Sequence, residues 1–301
     1  MPDFQTTSIL MLLRLRRYRW ARGSIAEQRR RQERQVRLIP AATDIGFDPI
    51  TIDGLRAAWI SGAWPTTGAE HTTGVTLYLH GGAYALGSLV THREFLGRFA
   101  SVTRTRVLAI EYRLAPEHRF PAALDDAVAA YRWLVGAGHD PARIVIAGDS
   151  AGGGLALATI AALRDSGDPL PACVVCLSPW VDLTLSCESI DANAQNDPVL
   201  SRDLLAGYAR LYAGGCDTRD PLMSPLFADP VGFPPMLIHV GDEEILRDEA
   251  VELSDSARSA GVDVELAVWP RMFHVFQMVP FLSQSGSSLS GVARFIARHL
   301  A

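Results

Sequence analysis

A serine between glycines stands at the middle of the chain, in the pentapeptide GDSAG at residues 148–152. An apolar, β-branched run at residues 144–147 precedes it, and a small-residue stretch that predicts a helix from Gly153 follows it. In this strand–turn–helix context a G-x-S-x-G sequence forms a nucleophile elbow, a strained turn too tight for neighbouring Cβ atoms. We therefore predict that Ser150 is a nucleophile. A glycine-rich turn with an incidental serine is the alternative.

The base that would activate this serine has to come later in the chain. A serine hydroxyl attacks a carbonyl only when a base accepts its proton, and the chain order in this context is serine, acid, histidine. Three of the eight histidines follow Ser150. His239 lies inside an apolar run and His299 lies two residues from the end, whereas His274 lies in the loop after a predicted strand at residues 264–268. We predict that His274 is the base.

A second small-residue loop follows another predicted strand. It reads HGGAY at residues 80–84, and the backbone N–H groups of such a loop can face the negative oxygen formed when a serine attacks a carbonyl. The predicted donors are the amides of Gly81, Gly82, Ala83 and Ala151. The alternative is an ordinary turn leaving a strand.

The acid that orients the base is expected in the loop after the predicted strand at residues 236–240. Several carboxylates lie there within one turn, and composition does not choose among them. They are Asp242, Glu243, Glu244, Asp248 and Glu249.

The elements that must position these residues alternate along the chain. After Gly46, strand-like and helix-like stretches follow each other, which is typical of βαβ units around a largely parallel sheet. The predicted strands span residues 75–79, 107–110, 144–147, 173–177, 236–240 and 264–268. The predicted helices span residues 93–102, 121–135, 153–165, 201–212, 249–259 and 289–299. Residues 183–226 interrupt the alternation, and we interpret them as an insertion above the sheet of a single α/β domain, residues 1–301.

Three short sequences in order resemble those of the bacterial hormone-sensitive-lipase-like esterases. They are HGGAY at 80–84, YRLAPEH at 112–118 and GDSAGG at 148–153, and the resemblance extends from about residue 75 to the C-terminus. It implies an α/β-hydrolase fold, with a mostly parallel sheet flanked by helices and a helical cap built from about residues 1–45 and 183–226. It also implies a serine carboxylesterase that hydrolyses short-chain acyl esters through an acyl-enzyme intermediate.

The resemblance also selects an acid. The family's acid motif, D-P-L-x-D, aligns on Leu246 and Asp248 and then places the catalytic carboxylate at Glu244 rather than Asp242. The interval from Glu244 to His274 is similar to that of the family. On this alignment, Asp248 is a further carboxylate near His274.

The substrate and the assembly are less well defined by the sequence. Candidate substrate-binding side chains are Tyr84, Leu86, Trp180 and Phe276, each equally compatible with a place in the core. The expected substrate is a small-molecule ester, and no metal or organic cofactor is implied. Lactone or amide hydrolysis would use the same residues, and a ligand-binding protein without catalysis is the remaining alternative. Related esterases imply a homodimer formed through the last strand and helix.

Composition excludes several other functions. The formal net charge of -5 provides no basic field of the kind that attracts nucleic acid. All 28 residues counted as Lys or Arg are arginine, which excludes Schiff-base and phosphate-binding lysines. The cysteines lack the paired CxxC spacing that a structural zinc site would use, and Cys173 and Cys176 lie in a strand-like run, where positions i and i+3 point to opposite faces. We interpret the four as buried reduced thiols rather than as a redox pair or metal site. They are Cys173, Cys176, Cys187 and Cys216.

The N-terminal residues predict a helical arm rather than a targeting segment. The apolar run at residues 9–13 lacks the flanks of a signal peptide and is too short to span a bilayer. We therefore expect a cytoplasmic protein without stable membrane insertion. The arginine-rich residues 1–40 have the pattern of amphipathic helices docked on the main body, and contact with anionic lipid is the alternative.

Overall fold

The computed structural model describes residues 23–36, 45–62 and 74–300 and contains a central eight-stranded sheet. The strands are Gly46–Ile52 (β1), Leu55–Ser61 (β2), Val75–Leu79 (β3), Arg106–Ile110 (β4), Ile144–Asp149 (β5), Cys173–Leu177 (β6), Met236–Gly241 (β7) and Val264–Trp269 (β8). Their order is β1-β2-β4-β3-β5-β6-β7-β8. β2 is antiparallel to both of its neighbours, β1 and β4, and β3 to β8 are mutually parallel. The predicted α/β class with a mostly parallel sheet is confirmed.

Helices cover both faces of the sheet. They are Ile25–Val36 (α1), Leu89–Thr103 (α2), Ala122–Gly136 (α3), Ala151–Asp165 (α4), Ser189–Ala192 (α5), Arg202–Ala213 (α6), Arg247–Ser259 (α7) and Ser283–His299 (α8), with short 3-10 turns at Pro141–Arg143, Pro225–Phe227 and Phe276–Met278. Helices α2 and α8 pack on one face, and α3, α4 and α7 on the other. In the described ranges no helix is both long and apolar enough to cross a membrane.

The strands that carry the site are buried on both faces. In β5, Val145 packs in the same core as Phe95 of α2, whereas Ile146 packs in the opposite core with Leu155 of α4. Strands covered on both sides read as continuous apolar runs, which is why all six predicted strands are present. Because β3 to β8 are parallel, their carboxyl ends meet at one edge of the sheet.

The first two strands were not predicted. β1 and β2 form an antiparallel hairpin whose turn is Asp53-Gly54, a dipeptide that favours hairpin turns. β1 is an outer strand in the described sheet, with Pro49 in its middle and several exposed positions, so its apolar alternation is weak.

The N-terminal helix contacts both the insertion and the main body. The hydroxyl of Tyr208 in α6 donates to Oε1 of Gln28 in α1 over 2.6 Å. Arg29, also in α1, donates to the carbonyl oxygens of Ala85 (2.8 Å) and Ala115 (2.7 Å). The bond between Tyr208 and Gln28 joins the two parts of the chain predicted to form a cap, and the bonds of Arg29 join α1 to the main body. The rest of the predicted arm, residues 1–22 and 37–44, lies outside the described residues.

The cysteines are all free thiols. Cys173, Cys176 and Cys187 are buried, and the first two point into opposite cores, as expected for neighbours three positions apart in a strand. Cys216 is exposed, so the prediction of a buried thiol was wrong there, because the residue follows the end of α6 in a surface turn.

Candidate active site

Ser150 lies in the turn between β5 and α4 with strained backbone angles, φ 53° and ψ -124°. The turn is possible because the flanking residues have no side chain. A Cβ on Gly148 would lie 2.2 Å from the carbonyl oxygen of Gly152, and a Cβ on Gly152 would lie 2.0 Å from that of Leu79. The amide of Ser150 donates to the carbonyl of Leu177 at the end of β6 over 2.9 Å. This is the geometry of a nucleophile elbow, with the serine presented at the carboxyl edge of the sheet.

His274 and Glu244 are brought together by two loops at the same edge. Nδ1 of His274 is 2.8 Å from Oε2 of Glu244, whose side chain is fully buried. The other oxygen, Oε1, accepts hydrogen bonds from the Ser178 hydroxyl (2.6 Å) and from the Gly241 amide (2.5 Å). Glu244 is therefore held by three donors, one of which is the imidazole.

Asp242, the alternative acid, is bonded to a different group. Its Oδ1 accepts the backbone amide of Arg271, at the far end of the loop that carries His274. Of the two carboxylates considered, the structure places Glu244 rather than Asp242 against the imidazole.

The electrostatic surroundings of His274 favour its protonated form. Burial by itself would lower the pKa of His274, but the hydrogen bond and the negative charge of Glu244 oppose burial and raise the pKa above its usual value of 6.5. Asp197 and Asp149 add negative charge that acts in the same direction. An imidazolium formed here is stabilised by three carboxylates.

The loop after β3 has three consecutive residues in the left-handed region. These are Gly82 (φ 123°), Ala83 (φ 53°) and Tyr84 (φ 58°), and the amide of Leu86 closes the turn by donating to the carbonyl of Gly82 over 2.7 Å. Left-handed backbone in non-glycine residues is costly and concentrates at functional sites. The loop is therefore held in a special shape beside the elbow.

One of the predicted oxyanion donors is already occupied. The amide of Gly81 donates to Oδ1 of Asp149 over 3.0 Å, so it does not point at a substrate oxygen. Ala151 is the first residue of α4, where a helix leaves its N–H groups without intrahelical acceptors. The candidate donors are thereby reduced to Gly82, Ala83 and Ala151.

Asp149 anchors the elbow to this loop, a role that the sequence did not reveal. Besides the Gly81 amide it accepts the hydroxyl of Tyr78 (3.0 Å), and its Oδ1 is 3.3 Å from Nε2 of His92. Burial by itself would raise the pKa of Asp149, but His92, Tyr78 and the Gly81 amide oppose burial and hold the pKa below its usual value. The only sequence signal for this role was an acidic residue directly before the nucleophile.

The four predicted substrate-binding side chains belong to the core. Their exposed fractions are 1% for Tyr84, 7% for Leu86 and 0% for both Trp180 and Phe276. Tyr84 stacks on Tyr212 of α6, with ring centroids 3.8 Å apart, and Phe276 packs against Trp269. Side chains enclosed in this way offer a ligand little surface in this structure, and direct substrate contact by these four residues stays a prediction.

Asp248 was also expected near His274. Its carboxylate instead accepts the amide of Ser189 (2.8 Å) and pairs with Arg247 (2.7 Å). Asp197, which belongs to the insertion, is the further carboxylate whose charge acts on His274. Asp248 lies on the first turn of α7, and there its carboxylate is bonded to Ser189 of the insertion.

Comparison with known proteins gives the same architecture. Residues 76–278 match the model of an alpha/beta hydrolase fold family. An acetyl-hydrolase of Streptomyces hygroscopicus is 42% identical over 250 residues, which cover 83% of this chain and 82% of that protein. An esterase of Acinetobacter venetianus is 35% identical over 261 residues, which cover 86% of this chain and 84% of that protein.

A solved structure extends this likeness over the whole chain. The crystal structure of an esterase from the bacterial hormone-sensitive lipase family superposes with a TM-score of 0.93 at 41% identity, covering 100% of both chains. The chain therefore belongs to the α/β-hydrolase family and, within it, to the esterases of the bacterial hormone-sensitive lipase family. The predictions of fold and of a carboxylic ester hydrolase are confirmed at this level.

Proposed function

We propose that the chain hydrolyses short-chain acyl esters through an acyl-enzyme intermediate on Ser150. The observation that carries the proposal is the 2.8 Å hydrogen bond between Nδ1 of His274 and Oε2 of Glu244, at the sheet edge that presents the strained serine. With Nδ1–H held by Glu244, the other ring nitrogen is free of a proton and accepts the proton of Ser150 as the hydroxyl attacks.

The attack forms a tetrahedral adduct whose oxygen is negative. The amides of Gly82, Ala83 and Ala151 are the proposed donors to that oxygen. When the adduct collapses, the bond to the alcohol breaks and the alcohol leaves with the proton carried by His274. A water molecule then gives its proton to His274 and attacks the acyl-enzyme. When this second adduct collapses, the acid leaves and His274 returns the proton to the oxygen of Ser150.

The enclosure of the site supports small acyl groups. The exposed fractions are 8% for Ser150 and 9% for His274, and the hydroxyl of Tyr84 and the backbone of Trp180 lie close to Gly154, just after the elbow. A name recorded for one relative, acetyl-hydrolase, also fits a short acyl group.

We extend the proposal to a homodimer formed through the last strand and helix. β8 has only one partner strand, β7, among the described residues, so one side of β8 is open for pairing. Val268 on this strand is 38% exposed, and pairing would cover such an apolar residue.

The test of the proposed function is the replacement of Ser150 by alanine. Initial rates are measured with p-nitrophenyl esters from acetyl to dodecanoyl, with a lactone and an anilide alongside. We expect hydrolysis by the parent protein to be fastest for the short esters, and we expect Ser150→Ala to lose it to the background level. The same variant should not be labelled by a fluorophosphonate probe. Turnover retained by Ser150→Ala would refute the mechanism, and a preference for dodecanoyl esters would refute the substrate class.

A further inference from the structure

Two polar side chains of the insertion hold the turn that carries Glu244. The side-chain amide of Asn193 donates to the carbonyl oxygens of Asp242 (2.9 Å) and Glu244 (2.8 Å). The hydroxyl of Ser189 donates to the carbonyl oxygen of Ile245 over 2.7 Å. The backbone on both sides of the proposed acid is thus fixed by residues that lie about fifty positions earlier in the chain.

Asp197 adds a carboxylate to this arrangement. Its side chain is fully buried, and Oδ2 accepts the amide of Ile245 over 3.0 Å. Oδ1 accepts the amides of Val199 and Leu200, each at 2.8 Å, and so closes a turn of the insertion. One carboxylate therefore joins the insertion to the residue that directly follows Glu244.

The same turn also touches the loop of the proposed base. The side chain of Val199 packs against the buried cluster of Met272, Phe273, Phe276 and Leu282, which surrounds His274 in the sequence. Asp197 thereby holds a turn that contacts the acid loop on one side and the base loop on the other.

We propose that Asp197 is a positioning residue for the acid–base pair. Its carboxylate fixes the distance between the loops of Glu244 and His274 and places an additional buried negative charge near the imidazole. The inference rests on the proposed function, because it treats this pair as catalytic.

The charges around His274 agree with this role. Three carboxylates from three different elements act on it through their negative charge: Glu244 from the turn after β7, Asp149 from the elbow and Asp197 from the insertion. Burial opposes them, but together they raise the pKa of His274. Removal of the charge of Asp197 therefore lowers the pKa of His274, so that the base stays neutral to lower pH.

The experiment is the variant Asp197→Asn, assayed for kcat and KM with p-nitrophenyl butyrate across pH. In the parent protein the acidic limb of kcat/KM reports His274 and is expected above pH 6.5, because activity requires the neutral imidazole. In the variant we expect kcat to fall by about 10- to 100-fold, since small misplacements of catalytic groups cost this much. We expect KM to change little and the acidic limb to move to lower pH.

Asp182→Asn is the matched control. Asp182 is also a fully buried carboxylate, beside the start of the insertion, and it accepts the amides of Thr184 (2.8 Å) and Ser186 (2.7 Å). Its carboxylate is hydrogen-bonded to Thr184 and Ser186, and it is not among the groups with the largest effect on the pKa of His274. We expect Asp182→Asn to lower the melting temperature and to leave the acidic limb where the parent protein has it.

Circular dichroism decides whether Asp197→Asn is folded. If it is not, Asp197→Ser takes its place, because a serine hydroxyl can still accept a turn amide without carrying charge. A folded variant with the parent acidic limb and a kcat within about twofold of the parent would overturn the inference. Ser150→Ala is run in the same assay. If Ser150→Ala is inactive, parent-like behaviour of the Asp197 variant rejects only the role of Asp197. If Ser150→Ala is active, the proposed function itself is rejected.

Discussion

Glutamine in place of Glu244 would keep the shape of the side chain and change its hydrogen bonding. Three donors converge on the two carboxylate oxygens: the Gly241 amide and the Ser178 hydroxyl on Oε1, and Nδ1–H of His274 on Oε2. A glutamine offers one acceptor oxygen and one NH₂ group that only donates. One side of the buried site is therefore left with a donor facing a donor.

Both orientations of the glutamine harm the reaction. If the NH₂ group faces His274, Nδ1 has to accept and the other ring nitrogen carries the proton, so the imidazole does not accept the proton of Ser150. If the NH₂ group faces Gly241, a buried N–H loses its acceptor at a cost of roughly 1–3 kcal/mol, and the acid turn moves. The acid-to-amide change in a serine-hydrolase triad lowers kcat by about 10⁴-fold, which corresponds to about 5 kcal/mol.

The assay is hydrolysis of p-nitrophenyl butyrate by Glu244→Gln and by the control Asp242→Asn. Asp242 accepts the Arg271 amide through one oxygen, and an asparagine retains such an acceptor. We expect a loss of about 10⁴-fold in kcat for Glu244→Gln and less than about threefold for Asp242→Asn. A Glu244→Gln variant within tenfold of the parent, or a larger loss in Asp242→Asn, would show that the acid has been assigned to the wrong residue.

Two further predictions concern the elbow and the assembly. Gly152→Ala places a Cβ 2.0 Å from the carbonyl oxygen of Leu79, so we expect loss of activity and a lower melting temperature. The control is Gly286→Ala in α8, where an added Cβ meets nothing within 4 Å apart from the neighbouring residues and backbone of its own helix. We expect this control to leave activity unchanged and to raise stability slightly. Equal melting temperatures for the two variants would contradict the close approach at the elbow. For the assembly, light scattering after size exclusion should give twice the chain mass of 32.7 kDa. Val268→Arg on β8, which has an open side, should reduce the measured mass to that of one chain. A monomeric parent protein would reject the dimer.

The parallel strands and the turn at Ser150 could be predicted from the sequence because each depends on a strong local pattern. Strands buried on both faces appear as short apolar runs, and the glycines around Ser150 mark a turn that a side chain would obstruct. The first residues of helices were harder to predict. α8 begins at Ser283, six residues before the predicted start, in a serine-rich stretch with low helix propensity, and its place there depends on packing against the sheet.

Within the site, only the features that depend on chain order and local sequence could be predicted. The hydrogen bond from the amide of Gly81 to Asp149 depends on how two loops approach each other at the sheet edge. The burial of Trp180 depends on the same tertiary packing. Asp197 was one of several acids in an irregular insertion, and the following Pro198 signalled no more than a turn.

The contacts of Arg29 bear on how this protein can be shortened or recombined. Its guanidinium donates to the carbonyl oxygen of Ala85, immediately beyond the loop that holds the proposed oxyanion donors, and to that of Ala115, whose amide donates to the carbonyl of Tyr84. A version trimmed to begin after α1 would leave those carbonyls without these donors and would release a fixed point of the loop. Chimeras that exchange N-terminal segments among relatives therefore need to carry an arginine at this position, even where the exchanged segment is chosen for its effect on substrate range.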